Sequence, residues 1–423
     1  MAKRRRVIFV NRFFYPDHSP TSELLSDVAF ALAERGFDVT VVASRQSYDR
    51  AKTNLPARER VNGVDIARMW TSTWGRRRLV GRSIDYLTFY MAAAWHVWNT
   101  ARAGAVIVAK TDPPLLSVPM AIVAKTRGAY LVNWLQDVFP EVAEALNVGG
   151  SVGRLASSAL RPLRNWSLRS AKVNVVVGEA MARRLRAMSI DNVEVINNWT
   201  DGALITPMPA SESEFRKEWV QGDRFVVCYA GNLGRAHDVD TLLSAMTALQ
   251  EKGKMLPSDL SAKIMFVFVG GGALRAKLER EALNRNLTNF RVRPYQPKEL
   301  LGETLAVADV HLVSLNPALE GLIVPSKFYG IAAAGRPTIF IGAKDGEIAH
   351  LLAEAGCGFT VPPGDGEGLA NKILELAADQ QLCATLGARA RLGFERQWNK
   401  SQALTKWETL LHAVSNPDPG KRS

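Results

Sequence analysis

The sequence predicts an α/β protein of two doubly wound domains that face each other across a cleft. The length of 423 residues is too great for one ordinary core and suits two domains of about 200 residues. Short Val- and Ile-rich runs alternate with segments of helical period, and this pattern restarts near residue 224. Runs with little polar alternation are typical of parallel strands whose two faces are covered by helices.

The elements of the first half follow one another in regular order. A strand at 7–11 precedes a helix within 21–36, and Gly36 stands where a helix C-cap is expected. Further Val- and Ile-rich runs predict buried strands at 37–44, 105–110, 129–137, 173–178 and 193–197. Helical segments separate these runs, as crossovers between parallel strands require.

The second half repeats the arrangement after a polar, proline-bearing hinge at 200–214. Asp238 is a candidate N-cap for the first helix of this half. The glycines at 270–272 lack the GxGxxG spacing of a dinucleotide loop, so we interpret them as a structural turn. We therefore predict domains at 1–202 and 203–395. Residues 396–423 are predicted to form a helix that packs back toward the first domain, followed by a disordered tail.

Composition narrows the class of protein and its compartment. Only three cysteines occur, Cys228, Cys357 and Cys383, and none forms a CxxC pair. This argues against a disulfide framework or a zinc site and fits a reducing, cytoplasmic location. The first apolar run stops at Asn11, which is too short for a signal peptide core.

Net charge is unevenly distributed along the chain. Residues 1–200 contain 28 Lys/Arg against 16 Asp/Glu, whereas residues 201–423 contain 25 of each. A basic domain beside a neutral one predicts an anionic partner for the first domain. No nucleic-acid-binding motif is present, so we expect an anionic membrane rather than nucleic acid. The alternative is that these charges serve solubility alone.

Two loops of the second half carry features of anion binding. Gly231 and Gly234 let the backbone approach a ligand between a strand and a helix, and Arg235 lies in the same turn. Further on, Ser326 and Lys327 open a helix. A lysine there opposes the helix dipole, and a bound anion would offset that cost. The alternatives are an ordinary turn and a surface lysine.

These two loops, in this order, resemble the retaining GT-B glycosyltransferases of family 4, whose domains are Rossmann-like. The bacterial polysaccharide and O-antigen branch, which includes fucosamine-type transferases, is the most similar. The segments FFYPDHSPTSELL, KTDPPLL, WLQDVFPE and INNWTD of the first half also resemble that branch. The resemblance covers roughly residues 5–410.

The resemblance implies a metal- and cofactor-independent transfer of a hexosyl or N-acetylhexosaminyl group from a nucleotide diphosphate sugar. The donor nucleotide is expected to be uridine diphosphate. Arg235 and Lys327 would bind the donor diphosphate, Glu320 would contact the donor sugar, and Asp137 would be an acceptor or structural carboxylate. Further donor-binding residues would be Gly231, Asn232, Gly234, Tyr295, Gln296, Ser326 and Glu347. Acceptor-binding residues in the first domain would be His18, Thr21 and Ser22.

The sequence departs from the family pattern at two positions. Glu320 is taken as the first acid of the Glu–seven residues–Glu motif, but the second acid aligns with Gly330. Glu347 is a candidate replacement. In the first domain Gln136 stands where the family often has a histidine before Asp137. The histidine contact to the donor sugar is therefore missing, or it comes from His18.

Two basic segments of the first domain bear on the acceptor. Residues 74–98 combine four arginines with several aromatic residues, and 154–172 contain five basic residues and no acid. In the second segment Leu155, Ala159, Leu163 and Trp166 share one helical face, which we expect Pro162 to interrupt. Both segments are typical of interfacial helices that lie on a membrane. The alternative is a core helix with a basic solvent face.

The functional hypothesis is a transferase at the cytoplasmic face of the bacterial plasma membrane that extends a lipid-linked glycan. One alternative is a sugar-nucleotide 2-epimerase of the same architecture, which needs several acids and a histidine in its site. Another is a GT-B partner protein without activity, which Gly330 favours.

Overall fold

The computed structural model describes residues 5–47, 55–75, 79–255 and 260–415. The chain forms two compact units, Met1–Asn197 with Ala403–Ser423, and Asn198–Gln402. The division thus falls at 197/198 and at 402/403, a few residues from the predicted boundaries. The predicted disordered tail from residue 416 lies outside the described residues, as do Arg76–Arg78 of the first basic segment.

The first unit contains an eight-stranded sheet in the order β3-β4-β2-β1-β5-β6-β7-β8. Neighbouring strands are parallel except β3 and β4, which form a hairpin through Asn62 and Gly63, both with positive φ. Val7–Val10 are fully or almost fully buried, as expected for a central strand. The strands are β1 Arg6–Val10, β2 Asp38–Ser44, β3 Arg58–Val61, β4 Val64–Met69, β5 Val106–Lys110, β6 Tyr130–Leu135, β7 Val173–Val176 and β8 Val193–Val195.

Helices connect the parallel strands of the first unit. α3 contacts both α2 and α5, and the Ser117 and Ser167 hydroxyls lie 2.8 Å apart between α3 and α5. α5 continues through Pro162, so the expected interruption is wrong. Pro162 is exposed, so the helix can continue on the buried side while water replaces the missing N–H donor on the outer side. The helices are α1 Pro20–Glu34, α2 Leu79–Thr100, α3 Ser117–Arg127, α4 Glu141–Ala145, α5 Gly150–Ser170 and α6 Glu179–Arg186.

The second unit contains a six-stranded parallel sheet in the order β11-β10-β9-β12-β13-β14. The direction of strand addition reverses between β9 and β12, which is where doubly wound sheets bind ligands beyond the carboxyl ends of the strands. The strands are β9 Phe225–Ala230, β10 Ile264–Val269, β11 Phe290–Arg293, β12 Val310–Ser314, β13 Thr338–Ile341 and β14 Gly358–Val361.

Helices also flank the second sheet, and the last helix returns to the first unit. Trp407 of α15 is fully buried, and its ring centroid lies 4.5 Å from that of Trp134 at the end of β6. Arg35 of the first unit pairs with Glu408 at 2.7 Å. These helices are α7 Glu214–Trp219, α8 Asp240–Met255, α9 Arg275–Asn284, α10 Leu301–Ala306, α11 Lys327–Ala333, α12 Glu347–Ala355, α13 Gly366–Ala378, α14 Gln380–Gly393 and α15 Lys400–Ser415.

Among the described helices, none has the length and apolar character needed to cross a membrane.

Candidate functional site

Lys327, the first residue of α11, lies against the loop that follows β9. Its Nζ donates hydrogen bonds to the Tyr229 hydroxyl and, at 3.4 Å, to the carbonyl oxygen of Asn232. The same ammonium lies 3.8 Å from the centroid of the Tyr229 ring. The structure therefore brings the two predicted donor loops together at the carboxyl end of the second sheet.

Among the residues that the structure describes, no acid balances the charge of Lys327. Burial lowers the pKa of Lys327 to about 7, and the Cys228 thiol opposes this only in part. Within the described ranges no carboxylate forms an ion pair with Lys327. A cation held only by neutral oxygens and an aromatic face is well suited to receive an anionic ligand.

The backbone of the loop after β9 is left uncovered because the surrounding residues are glycines without side chains. Gly231 has φ +121°, and a Cβ there would lie 3.6 Å from Lys327 Nζ. Gly270 has φ +129°, and its Cβ would lie 2.4 Å from the carbonyl oxygen of Gly231. A Cβ at Gly272 would similarly lie 2.4 Å from the Leu233 carbonyl oxygen. The glycines at 270–272 therefore allow the turn after β10 to approach the loop after β9 closely, which agrees with their interpretation as a structural turn.

Arg235 and Asn232 are exposed in this loop, and Gly234 lies between them in sequence. Within the described residues Arg235 has no ion pair or side-chain hydrogen bond to hold it. Asp238 Oδ1 accepts a hydrogen bond from the Thr241 amide at 2.9 Å, which is the capping contact expected from the sequence. The start of α8 is thereby fixed while Arg235 remains available to solvent.

His237 is a loop residue that the sequence analysis did not select. Its Nδ1 lies 2.7 Å from the Ser314 carbonyl oxygen, and its ring meets the Tyr229 ring edge-on at 5.8 Å. Burial, together with the Lys327 charge, lowers the pKa of His237 to about 4. The imidazole is therefore neutral at pH 7 and connects the loop after β9 to the end of β12.

Tyr295 lies beside the three-glycine turn, whereas Gln296 points elsewhere. The Tyr295 ring is exposed and comes within 3.1 Å of the Cβ positions of both Gly270 and Gly271. Gln296 Nε2 donates to the Pro294 carbonyl oxygen at 3.1 Å. Ser326 precedes α11 and is exposed, and its side chain makes no capping hydrogen bond. Tyr295 thus presents an aromatic face at the edge of the site.

Glu320 and Glu347 meet beyond the ends of β12 and β13. Glu320 Oε1 accepts a hydrogen bond from the Glu347 amide at 2.8 Å and so caps the first turn of α12. Burial and the nearby Glu347 charge raise the pKa of Glu320, although the backbone hydrogen bond lowers it. A Cβ at Gly346 would lie 2.5 Å from Glu320 Oε2, so glycine at this position makes room for the carboxylate.

The spacing of the acidic motif differs from the expectation. Glu320 precedes Gly330 by ten positions, two more than the Glu–seven residues–Glu spacing requires. Gly330 lies in the middle of α11, where a Cβ would make ordinary contacts with Leu305 and Ile205. Glu347 is buried beside Glu320, not beside Gly330. Glu320 therefore has a structural role at α12 in addition to any contact with a donor.

A second polar cluster lies at the carboxyl end of the first sheet, between β1 and β5. Lys110 is buried, its Nζ donates to the Thr21 carbonyl oxygen at 2.7 Å, and it lies 3.7 Å from the Trp134 ring centroid. Removal from water raises the pKa of Asp112 to about 6. The surrounding protein and the Asp112 charge raise the pKa of Asp137, whose side chain is nevertheless exposed.

The three predicted acceptor residues near the start of α1 are in different environments. His18 is largely exposed, and its Nδ1 lies 3.8 Å from Glu23 Oε1. Thr21 is half-buried and its backbone is fixed by Lys110. Ser22 is fully buried, and its hydroxyl has no hydrogen-bond partner in the described part of the chain. His18 and Thr21 can reach a ligand in this conformation, whereas Ser22 cannot.

Part of the predicted basic segment on α5 is neutralised within the fold. Arg164 is buried and pairs with Glu141, and Arg161 pairs with Glu144. Arg169 donates to the Met188 carbonyl oxygen at 3.1 Å but remains exposed. The segment therefore has fewer unpaired cations than its sequence contains, because Arg161 and Arg164 are paired with acids.

Comparison with known proteins shows which class of enzyme the two domains belong to. Residues 210–393 match the family described as glycosyl transferases group 1, and residues 23–199 match the glycosyl transferase 4-like domain. The chain therefore consists of two glycosyltransferase domains. The first match contains the loops around Arg235 and Lys327, and the second contains Lys110, Asp112 and Asp137.

Two curated relatives match this glycosyltransferase over most of its length. The probable glycosyltransferase WbjE of Pseudomonas aeruginosa is 28% identical, over 80% of this chain and 82% of the relative. The putative colanic acid biosynthesis glycosyl transferase WcaI of Escherichia coli K12 is 24% identical, over 80% and 83%.

Solved structures show that this glycosyltransferase has the GT-B fold. Sucrose-phosphate synthase from Thermosynechococcus elongatus superposes with a TM-score of 0.75 at 18% identity, covering 97% of this chain and 99% of that one. Anabaena HepE in complex with UDP superposes with a TM-score of 0.69 at 16% identity, covering 96% and 100%.

Proposed function

We propose that this glycosyltransferase moves a hexosyl or N-acetylhexosaminyl group from a uridine diphosphate sugar to a lipid-linked or polysaccharide acceptor, with retention of anomeric configuration. The observation that carries the proposal is the position of Lys327. Its ammonium lies on the exposed backbone of the loop after β9 and has no carboxylate partner among the described residues. A diphosphate is the part of a nucleotide sugar that matches this charge.

Lys327 and Arg235 would act on the leaving group. As the bond between the anomeric carbon and the diphosphate oxygen breaks, negative charge accumulates on the β-phosphate. A lysine held by Tyr229 and Asn232 meets that charge with little reorganisation, because its position is fixed before the donor binds. The exposed guanidinium of Arg235 can close on the same phosphate from the neighbouring turn. These two cations supply the charge stabilisation without a metal ion or cofactor.

Retention follows if the acceptor attacks the face that the diphosphate leaves. The acceptor hydroxyl oxygen forms the new bond to the anomeric carbon, and its proton passes to the departing phosphate oxygen. Electron pairs and protons then balance without a protein nucleophile. The protein contributes positioning and charge stabilisation. Glu320 and Glu347 would lie near the donor sugar, and Tyr295 would stack on the nucleobase.

The choice of donor and pathway rests on the relatives. HepE was solved with UDP, and WcaI is described as acting in colanic acid biosynthesis. WbjE is a bacterial glycosyltransferase of similar length. These likenesses support a uridine donor and a role in cell-surface glycan synthesis, within the fucosamine-transferase-like branch of the family. A lipid-linked acceptor would place the enzyme at the cytoplasmic face of the plasma membrane.

The first unit would bind the acceptor through the polar cluster at the end of its sheet. Asp112 and Asp137 have raised pKa values and can accept hydrogen bonds from sugar hydroxyls. His18 and Thr21 lie at the start of α1 beside this cluster. The fixed backbone of Thr21 provides a rigid edge for a glycan.

Nucleotide release tests the proposal. Purified enzyme would be incubated with a panel of uridine and guanosine diphosphate sugars, with and without lipid extract from a polysaccharide-producing bacterium. We expect uridine diphosphate release that depends on both one sugar and the extract, and NMR should show the new linkage with the donor's anomeric configuration. Interconversion of two donor sugars with little net release of nucleotide would favour the epimerase, whereas equal release without extract would contradict the lipid-linked acceptor. No binding of any nucleotide sugar would favour the inactive partner protein.

A further inference from the structure

α2 has an apolar stripe along its outward face. Met91 and Trp95 are 64% and 69% exposed, and the Trp95 and Trp98 rings stack at a centroid distance of 5.9 Å. The members recur every three or four residues, so they lie on one side of the helix. The stripe consists of Val80, Ile84, Leu87, Met91, Trp95 and Trp98.

The opposite face of α2 packs into the hydrophobic core of the first unit. Phe89, Ala93 and Val97 are fully buried and pack in one cluster with Met120 and Ala124 of α3. A surface helix normally has one apolar face and one polar face. α2 is apolar on both, and within the described residues nothing covers the outer one. The stripe is therefore available to a partner.

α3 and α5 extend this apolar surface across the same layer of helices. Ile122 of α3 is exposed, and α3 contacts α2 on one side and α5 on the other. On α5, Leu155 is 74% exposed, and Leu163 and Trp166 are also exposed. Scattered exposed apolar residues are ordinary, but a set that spans three adjacent helices marks an interaction surface.

The exposed charged side chains of α2, α3 and α5 are all basic. Neither α3 nor α5 contains an acidic residue, and the only one on α2 is Asp85. Asp85 is buried and accepts a hydrogen bond from the Ser72 hydroxyl at 2.6 Å, so its charge is not presented outward. The exposed charged residues of the three helices are Arg82, Lys125, Arg154 and Arg169. Arg127, partly buried, lies 5.1 Å from the Trp98 ring centroid.

We infer that the outer surface of α2, α3 and α5 binds an anionic lipid bilayer, with its apolar side chains inserted at the level of the headgroups. Tryptophan, aliphatic residues and cations without acids form the composition that interfacial helices use. A second copy of the chain fits less well, because a symmetric contact would bring the cations of both copies together. Apolar insertion contributes to membrane binding in addition to the charges. High salt should therefore remove only part of the affinity for anionic vesicles.

Vesicle binding by the full chain tests the inference without donor or acceptor. The probe is a vesicle with about 30% phosphatidylglycerol in phosphatidylcholine, compared with phosphatidylcholine alone. Met91→Glu puts a carboxylate in the stripe, and we expect it to reduce binding about tenfold or more. Leu283→Glu, on the exposed face of α9 in the second unit, is the matched control and should bind like the parent.

Tryptophan quenching reports the depth of insertion. Brominated phospholipid should quench the parent protein, and replacing Trp95, Trp98 and Trp166 together by Phe should remove most of that quenching. Equal binding by Met91→Glu and the parent, or no quenching, would overturn the inference. So would a concentration-dependent dimer that Met91→Glu dissociates while vesicles bind no protein. A thermal unfolding curve like that of the parent shows that each variant is folded, and unchanged uridine diphosphate binding keeps this result separate from the donor site.

Discussion

Lys327 and Arg235 are the side chains whose loss should affect turnover most. One charge-assisted hydrogen bond contributes about 1.5–3 kcal/mol, and 1.4 kcal/mol corresponds to about tenfold in rate. We expect Lys327→Ala to lower kcat/KM by about a hundredfold, and Arg235→Ala to have a similar effect. The double variant should lose less than the product of the two if both side chains bind one diphosphate. Measured turnover for the three variants decides this.

The exposed Lys254 at the end of α8 provides a matched control, because among the described residues it pairs only with Glu251 one turn earlier. Lys254→Ala should keep full turnover. The melting temperature of Lys327→Ala should change little, because removing a charge that burial disfavours offsets the lost contacts with Tyr229. Near-normal turnover in Lys327→Ala would reject the donor site.

Donor binding should take up a proton at Lys327. With a pKa of about 7 in the free protein, this lysine is mostly neutral at about pH 8, and a bound diphosphate favours its charged form. Affinity for uridine diphosphate should therefore fall as the pH rises above 7. Calorimetry in buffers of different ionisation enthalpy should show uptake of nearly one proton at about pH 8. Lys327→Ala should abolish the uptake, and its persistence in that variant would assign the proton elsewhere.

The candidate site residues that the sequence predicts are those in loops with unusual chemistry. Arg235 beside glycines and Lys327 at a helix start are visible as local patterns. Tyr229 and His237 were missed because a tyrosine in an apolar strand and a histidine before a helix are common in ordinary cores. Lys110 could have been predicted as a site residue. A lysine at the end of a fully buried strand needs a partner inside the protein.

At the scale of elements, the turn before α12 depends on a glycine. In Gly346→Ala the new Cβ would lie 2.5 Å from Glu320 Oε2, so the carboxylate that caps α12 must move. Losing such a cap costs about 0.5–2 kcal/mol, and we expect a lower melting temperature and weaker donor binding. Thermal unfolding and uridine diphosphate titration measure the two effects.

Gly330→Ala is the contrasting variant. Its Cβ meets only ordinary contacts at 3.7 and 3.9 Å, inside a helix where glycine is less favourable than alanine by about 0.5–1 kcal/mol. We expect a slightly higher melting temperature. A loss of stability equal to that of Gly346→Ala would show that the capping contact is not the cause.

Both parallel sheets were predictable, because strands buried on two faces must be apolar throughout. The hairpin of β3 and β4 was missed, since β3 lies at the sheet edge and three of its four residues are charged. Asn62-Gly63 is nevertheless a strong hairpin signal. The continuity of α5 through Pro162 could not be foreseen, because it depends on which side of the helix the proline faces.

At the scale of the whole molecule, α15 is the part of the C-terminal region on which the first unit depends. Trp407 is fully buried against Trp134, and replacing a buried tryptophan by alanine costs about 3–5 kcal/mol. Trp407→Ala should therefore increase hydrogen exchange in β6 and its neighbours. Uridine diphosphate binding by the second unit should persist. Lys406→Ala, at the exposed position before it, should leave exchange unchanged, and unchanged exchange in Trp407→Ala would show that the contact is dispensable.

The return of α15 also sets an order of events on the ribosome. Residues 198–402 must all be synthesised before residues 403–415 can cover Trp134. At the usual rates of translation that interval lasts about 10–40 s. During this time the nascent first unit exposes an apolar groove where Trp407 will later lie. Chaperones that bind exposed apolar segments should therefore associate with the growing chain before its last helix emerges, and leave once that helix is in place.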